Sequence, residues 1–211
     1  PADIGDVVLA MKSTVPVGTG DRMQSSLDAR GLGHVHYVSN PEFLKEGDAI
    51  ADFMRPDRVV IGGTDDVAID KLARLHAPLE STIVRTDVAT AEMIKAAANA
   101  FLATKISFIN EIANVCEETG ADVIRVAEGM GLDRRIGRHF LKAGIGFGGS
   151  CFGKDVSALK QLAGNSGYHF QLLNAVMEVN DLQKRRLVGK LARHLGSLRG
   201  RTVAMLGLAF K

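Results

Sequence analysis

An alternation of short β-branched runs with amphipathic stretches over residues 4–86 is the feature that most constrains the fold. The β-branched runs predict strands at 7–11, 35–38, 59–61 and 82–85, and the stretches at 19–30 and 65–76 predict helices. Strands that alternate with helices at this spacing are typical of a parallel α/β sheet. The sequence therefore predicts an α/β, Rossmann-like half-domain over residues 1–86.

Beyond this region the pattern becomes helical. One long helix is predicted over 88–118, and its apolar positions spread beyond one stripe, so we expect it to be buried on several sides and to contribute to dimerisation. Shorter helices are predicted at 121–129, 133–141, 152–166 and 171–196. We therefore expect an all-helical central domain over 87–198.

The last residues predict one more strand. Residues 202–210 form an apolar run after a short linker and resemble a buried parallel strand, the first of a further domain over 199–211. Such a strand needs partners on both sides. We therefore expect the chain to be an interior piece of a longer protein, with the preceding half of the sheet carrying any dinucleotide fingerprint.

Composition excludes several classes of function. The chain has 211 residues, 46% hydrophobic content and a net charge of +2, with short basic runs that lack interleaved aromatics, so nucleic-acid binding is not expected. Two cysteines form no disulfide framework, and neither they nor the histidines have the spacing of zinc ligands. No apolar stretch or signal peptide indicates a membrane. We expect a cytoplasmic protein without a structural metal.

A glycine-rich run precedes Cys151, which lies at a predicted helix start. A helix N-terminus and the neighbouring Lys154 both favour the thiolate, and Asp155 would share a helix face with the sulfur. The alternative is a buried, inert cysteine. A G-x-G-x-x-G string at 144–149 follows no predicted strand, so we do not interpret it as a dinucleotide site.

Two strand ends carry further polar residues. Asn40 and Pro41 predict a helix start, which would place Glu42 and Glu46 on one helix face. Ser13 and Thr14 close the first predicted strand, where hydroxyls can meet a nucleotide. The alternatives are acidic residues that merely complement a helix dipole and an ordinary turn.

On the long helix, Lys95 and Asn99 are four residues apart among alanines. A lysine in such an apolar stretch either extends its ammonium to water or is held for use.

Five separated motifs together resemble those of the UDP-glucose/GDP-mannose dehydrogenase family. They are Lys-Ser-Thr-Val-Pro-Val-Gly at 12–18, Asn-Pro-Glu-Phe-Leu-Lys-Glu at 40–46, Lys-x-x-x-Asn at 95–99, Asp-x-Arg-Ile-Gly at 133–137 and Gly-Phe-Gly-Gly-Ser-Cys-Phe-Gly-Lys-Asp-Val at 146–156. The resemblance spans the whole chain. It implies a two-step oxidation of a sugar nucleotide with NAD, and the Asp-x-Arg-Ile-Gly motif favours UDP-glucose, which would yield UDP-glucuronate for polysaccharide biosynthesis.

The resemblance also implies roles for individual residues. The implied catalytic residues are Cys151, Lys95, Asp155, Glu42, Asn99 and Thr14. The implied cofactor contacts are Ser13, Thr14, Glu46 and Lys154. The implied substrate contacts are Glu42, Phe43, Leu44, Lys95, Asn99, Arg135, Lys142, Phe147, Gly148 and Lys211. Cys151 would form a thiohemiacetal and then a thioester, and Arg135 would reach the sugar site of a partner subunit in a homodimer.

Two departures and three alternatives accompany this interpretation. Gly153 and Ile145 stand where the family usually has proline, which puts the rate or the exact substrate in doubt. A sister specificity for GDP-mannose or a UDP-N-acetylhexosamine is one alternative. The isolated chain could also be an inactive dimerisation core, and a cysteine hydrolase is disfavoured because no histidine lies in a motif that would pair with Cys151.

Overall fold

The computed structural model describes residues 7–150 and 152–207 of the chain. The chain divides into two compact units, with the division between Ala97 and Ala98 inside one long helix. The domain boundaries predicted from sequence, after residues 86 and 198, stay predictions.

The first unit contains a four-stranded sheet in the order β1-β2-β3-β4. Its strands are β1 Val7–Met11, β2 Val35–Ser39, β3 Val59–Gly63 and β4 Ile83–Thr86. The pairs β1–β2 and β3–β4 are parallel, which confirms the predicted α/β class. In contrast, β2 and β3 are antiparallel and share only two register pairs, Val38↔Gly63 and Ser39↔Gly62. The β2–β3 connection contains only a six-residue helix, whereas each parallel pair is joined through an eleven-residue helix.

Three helices accompany this sheet: α1 Thr19–Ala29, α2 Ala49–Met54 and α3 Asp66–His76. The side chain of Asp65 caps α3 by accepting a 2.7 Å hydrogen bond from the Ala68 amide. One face of α3 packs against the strands and forms the core of the unit, which comprises Val38, Val59, Ile61, Ala68, Ile69, Leu72 and Ala73.

The second unit is helical. The 32-residue helix α4, Val88–Thr119, leads into α5 Val123–Gly131, α6 Phe152–Asn165 and α7 Gln171–Leu195. The buried hydroxyl of Ser107 donates a 2.9 Å hydrogen bond to the carbonyl of Val176, which fixes α4 against α7. The long helix and the helical character predicted from sequence are confirmed.

The helix predicted over 133–141 is wrong, because this segment forms turns. Oδ1 of Asp133 accepts a 2.9 Å hydrogen bond from the Arg135 amide, and the Asp133 carbonyl accepts from the Gly137 amide at 2.8 Å. A side chain that bonds its own backbone two residues on favours a turn over a helix. The local chemistry of Asp133 therefore overrides the weak helical pattern.

The strand predicted over 202–210 is absent from its described part. Residues 201–207 are exposed and have no strand partner, and residues 208–211 lie outside the described residues. A buried strand forms only where neighbouring strands satisfy its backbone groups, and the described residues of the second unit contain no strand.

None of the helices in the described part of the chain combines the length and apolar character that a membrane crossing requires.

Candidate active site

In the first unit, the segment after β2 runs beside the end of β1. The amide of Asn40 donates to the Met11 carbonyl at 2.9 Å, and the amide of Glu42 donates to the Lys12 carbonyl at 3.3 Å. The buried Asn40 side chain accepts a 2.8 Å hydrogen bond from Lys12 Nζ and donates a 2.7 Å bond to the Val60 carbonyl. Asn40 thus ties three segments of the unit together.

The helix start predicted at Asn40 and Pro41 is therefore wrong. Residues 40–45 are non-helical, and α2 begins only at Ala49. The side chain of Asn40 would have to cap a helix, but it is already hydrogen-bonded to Lys12 and to Val60 of β3. Glu42 and Glu46 consequently do not share a helix face.

Glu42 forms a charged pair with Lys95. Lys95 Nζ lies 3.2 Å from Glu42 Oε1, and only 7% of the lysine side chain is exposed. The Leu44 amide donates a 2.6 Å hydrogen bond to Glu42 Oε2, which fixes the carboxylate in its own turn. The Lys95 ammonium therefore does not extend to water, and its use in the reaction stays a prediction.

Two cations face the ring of Phe43. The Arg58 guanidinium lies 3.7 Å from the ring centroid and Lys95 Nζ lies 5.2 Å from it, which are cation–π distances. Nearby, burial lowers the pKa of Lys12, and the negative charge of Glu42 acts in the opposite direction. Ser13 is exposed and Thr14 is partly buried just beyond β1, while Glu46 is exposed in the turn before α2.

Glu92 is a buried acid that the sequence patterns did not reveal. Its two carboxylate oxygens accept hydrogen bonds from the amides of Gly18, at 2.7 Å, and Gly20, at 2.9 Å, at the start of α1. Burial raises the pKa of Glu92, and these backbone hydrogen bonds partly oppose the shift. Glu92 therefore supplies the negative charge that the N-terminus of α1 favours.

The second unit holds a separate polar cluster. Asn99 Nδ2 donates a 2.7 Å hydrogen bond to Asp155 Oδ2, and Lys154 Nζ lies 2.8 Å from Asp155 Oδ1. Both Asn99 and Asp155 are buried. Each oxygen of the carboxylate thus has one fixed partner, and Asn99 lies one helical turn after Lys95 on α4.

Three aromatic rings link the predicted substrate loop to α6. Phe152, the first residue of α6, contacts Phe147 at 5.9 Å and Phe140 at 6.2 Å between ring centroids, both edge to face. Lys142 and Gly148, at the two ends of this loop, are exposed.

Arg135 lies in the turn after α5. Its guanidinium makes a bidentate pair with Asp133, with Nη2 2.5 Å from Oδ2 and Nε 3.0 Å from Oδ1, and 89% of its side chain is exposed. Asp133 raises the pKa of Arg135, and Arg135 lowers that of Asp133.

Two predicted site residues, Cys151 and Lys211, lie outside the described residues. Within residues 7–150 and 152–207, no three His, Cys, Asp or Glu side chains converge as metal ligands would.

Comparison with known proteins places both units in one family. Residues 3–80 match the NAD binding domain of the UDP-glucose/GDP-mannose dehydrogenase family, and residues 89–182 match the central domain of the same family.

Individual relatives agree with this result. The UDP-glucose 6-dehydrogenase TuaD of Bacillus subtilis is 56% identical over 209 residues, which cover 98% of this chain and 45% of that protein. The structure of a UDP-glucose dehydrogenase from Pyrobaculum islandicum superimposes with a TM-score of 0.92 at 43% identity, over 96% of this chain and 48% of the other. A GDP-mannose dehydrogenase from Pseudomonas aeruginosa superimposes with a TM-score of 0.59 at 34% identity, over 97% and 48%.

The chain thus spans about half the length of the curated relatives it matches. In this chain, the sheet unit contains the match to the NAD binding domain and the helical unit contains most of the match to the central domain. The chain belongs to the UDP-glucose/GDP-mannose dehydrogenase family.

Proposed function

We propose that the whole protein containing this chain oxidises UDP-glucose to UDP-glucuronate in two NAD-dependent steps. The observation that carries this proposal is the buried Lys95 side chain paired with the partly exposed Glu42, because the pair holds an ammonium where it can stabilise an oxyanion. UDP-glucose is favoured over GDP-mannose because the Bacillus subtilis UDP-glucose enzyme is 56% identical, whereas the GDP-mannose dehydrogenase is 34% identical.

The residues present fit part of an NAD site. The hydroxyls of Ser13 and Thr14 follow the carboxyl end of β1, where parallel sheets bind nucleotides. The N-terminus of α1 is already occupied by the Glu92 carboxylate, so we assign no cofactor phosphate to it. NAD supplies the chemistry of hydride acceptance, once in each oxidation.

The residues of the chain stabilise the developing charges and transfer the protons. In the first oxidation the C6 alcohol of the sugar loses a hydride and a proton and becomes an aldehyde. The Cys151 thiolate then attacks the aldehyde carbon, which forms a carbon–sulfur bond and turns the carbonyl oxygen into a thiohemiacetal oxyanion. We assign the stabilisation of this oxyanion to the Lys95 ammonium. Loss of a second hydride gives a thioester.

Water completes the reaction by attacking the thioester carbon and releasing the acid and the Cys151 thiolate. Glu42 is anchored by Lys95 and the Leu44 amide, and Asp155 by Asn99 and Lys154, so both carboxylates are held for proton transfer.

We also propose that two copies associate through α4. Phe101, Phe108 and Val115 are spaced seven residues apart on α4 and are exposed to 66%, 48% and 58%. The buried residues Ala103, Ser107 and Asn110 lie on the opposite face. A heptad-spaced apolar stripe is the surface that a second copy of the same helix would cover. The assignment of Arg135 to the partner's sugar site, and a cytoplasmic location, remain parts of the proposal that the resemblance alone supports.

The deciding experiment measures NADH formed per limiting UDP-glucose by the whole protein. We expect two NADH per sugar, no acid product with Cys151→Ala, and near-normal yield with Cys116→Ala, which removes the other, buried cysteine. No NADH from UDP-glucose, but turnover of GDP-mannose or a UDP-N-acetylhexosamine, would favour a sister specificity. The 211-residue chain assayed alone tests the inactive-core alternative, which predicts a dimer that binds no NAD by calorimetry.

A further inference from the structure

The backbone of the 144–147 loop is held by side-chain amides from two helices. Asn180 on α7 engages both backbone groups of Phe147, since its Oδ1 accepts from the Phe147 amide at 2.6 Å and its Nδ2 donates to the Phe147 carbonyl at 3.2 Å. Asn180 is itself buried. The Asn180 side chain thus satisfies both backbone groups of Phe147, which would otherwise form hydrogen bonds with water or with a ligand.

Gly144, three residues earlier, is held in the same way. Its amide donates to Asn110 Oδ1 on α4 at 2.7 Å, and its carbonyl accepts from Gln183 Nε2 on α7 at 3.0 Å. Asn114 orients Gln183 by donating to its Oε1 at 3.1 Å. Asn110 is fully buried and its Nδ2 has no partner among the described residues, so its contribution to the loop is the bond to Gly144.

Between these two anchors, Gly146 lies directly against Asn180. Its φ is +107°, and a Cβ at this position would come within 2.5 Å of Asn180 Oδ1. Only glycine adopts this conformation without strain and leaves room for the amide. Gly144, Gly146 and Phe147 of the loop therefore all contact α7.

We propose that Asn110, Asn180 and Gln183 are positioning residues that hold the 144–147 loop in its bound conformation before any sugar nucleotide arrives. The part of this inference that concerns the sugar nucleotide rests on the proposed function. The hydrogen bonds of the loop backbone come from uncharged amides, so its conformation does not depend on a titrating group. A loop that is already ordered loses little conformational entropy on binding, which improves affinity without adding a contact.

The first test is hydrogen exchange of the Gly144 and Phe147 amides in the whole protein without sugar nucleotide. We expect both amides to be protected, and Asn180→Ala to speed exchange at Phe147 about tenfold, the equivalent of one lost hydrogen bond. Asn174→Ala is the matched control, because Asn174 is on the same helix but contacts His169 instead of the loop. Protection that develops only after UDP-glucose is added would overturn the inference.

The second test separates positioning from simple stability. When only a fraction of the molecules has an ordered loop, the apparent affinity for substrate falls by that fraction, so Asn180→Ala should raise KM for UDP-glucose about tenfold and leave KM for NAD unchanged. Asn180→Asp keeps the acceptor for the Phe147 amide and should recover part of the loss. It also provides a second variant if Asn180→Ala fails to fold.

The outcomes distinguish this inference from the proposed function. Faster exchange with an unchanged KM for UDP-glucose would overturn the positioning role. A wild-type protein that protects both amides but does not oxidise UDP-glucose would overturn the proposed function and leave the preformed loop standing.

Discussion

The Lys95 ammonium lies 3.2 Å from Oε1 of Glu42, and the lysine side chain is almost completely buried. Glu42 is in a non-helical segment after β2, whereas Lys95 is on the first turns of α4. The two residues come from distant parts of the sequence, so the sheet unit must be folded before the pair can form. This pair fixes the position of the ammonium.

Lys95→Ala should therefore abolish most of the activity of the whole protein. Removing a preorganised donor to a developing oxyanion costs about 100- to 1,000-fold in kcat. Steady-state NADH formation from UDP-glucose measures the effect. Lys160→Ala, at an exposed position on α6, is the control. A Lys95→Ala protein with normal kcat would contradict the role assigned to the ammonium.

The Asn99–Asp155 hydrogen bond should contribute to the stability of the second unit. Asp155→Ala leaves the buried Asn99 Nδ2 without its acceptor, which we expect to lower the free energy of unfolding by about 1–3 kcal/mol. Urea unfolding of the wild type, of Asp155→Ala, of Asn99→Ala and of the double variant gives the coupling energy. If the two single effects simply add, the hydrogen bond is not a source of stability.

Glu92 should make stability depend on pH in the acid range. Because burial raises its folded-state pKa above the ordinary value of 4.5, the folded protein keeps the proton at pH values where the unfolded chain has lost it. The stability that Glu92 contributes is therefore complete below pH 4.5 and is lost as the pH rises through the folded pKa. The difference in unfolding free energy between wild type and Glu92→Gln should fall from pH 4 to neutral pH. A difference in unfolding free energy that is constant or grows with pH would contradict the raised pKa of Glu92.

Gly62 should not accept a side chain. A Cβ at this position would overlap the Asp87 carbonyl and the Ala91 methyl at the start of α4, and the backbone atom cannot rotate away. We expect Gly62→Ala to lower the free energy of unfolding by about 1–3 kcal/mol, as overpacking does. Gly63→Ala is a matched neighbour, because its Cβ would meet only side-chain atoms of Ile69 and Val38, at 3.1 Å or more and with no backbone atom among them. Equal losses of unfolding free energy in Gly62→Ala and Gly63→Ala would contradict the overlap expected at Gly62.

Phe108→Glu should disrupt self-association. A charge in the middle of the exposed apolar stripe would be desolvated in a dimer, so we expect the mass measured by light scattering to fall toward that of a monomer. Leu75→Glu adds the same charge at an exposed position on α3 and should leave the mass unchanged. A Phe108→Glu protein that still dimerises would exclude α4 as the interface.

Local patterns predicted most of the regular structure. The four strands and the helices α1, α3, α4, α5, α6 and α7 form close to where β-branched runs and amphipathic periodicity indicate them. The two wrong helix predictions arise where a polar side chain has a hydrogen-bond partner that the helix pattern does not reveal, distant in the sequence for Asn40 and two residues away for Asp133. Asn40 bonds Lys12 and Val60 and does not cap a helix, and Asp133 bonds Arg135 and keeps its segment in a turn.

The candidate site was only partly predictable for the same reason. The motifs identified Glu42, Lys95, Asn99 and Asp155, but not Glu92, which bonds an amide 74 residues away, or Asn180, which bonds one 33 residues away. An acid or an amide within an amphipathic helix has no pattern that distinguishes it from a solvated residue. Only the packing of the chain shows that these side chains satisfy buried backbone groups.

The antiparallel junction between β2 and β3, formed by the pairs Val38↔Gly63 and Ser39↔Gly62 and called the seam here, has a consequence for the order of folding. Each parallel pair is built from two strands and its own crossover helix, whereas the seam is closed by two register pairs and by the Asn40 side chain bonded to β3. All three junctions join strands that are consecutive in the sequence, but the parallel pairs have five and four register pairs and the seam has two. Closing a loop of similar length therefore gains fewer backbone hydrogen bonds at the seam. We expect the two strand–helix–strand halves to form early and the seam to close late, so that Lys12, Asn40 and Glu42 acquire their final positions only in the last kinetic step.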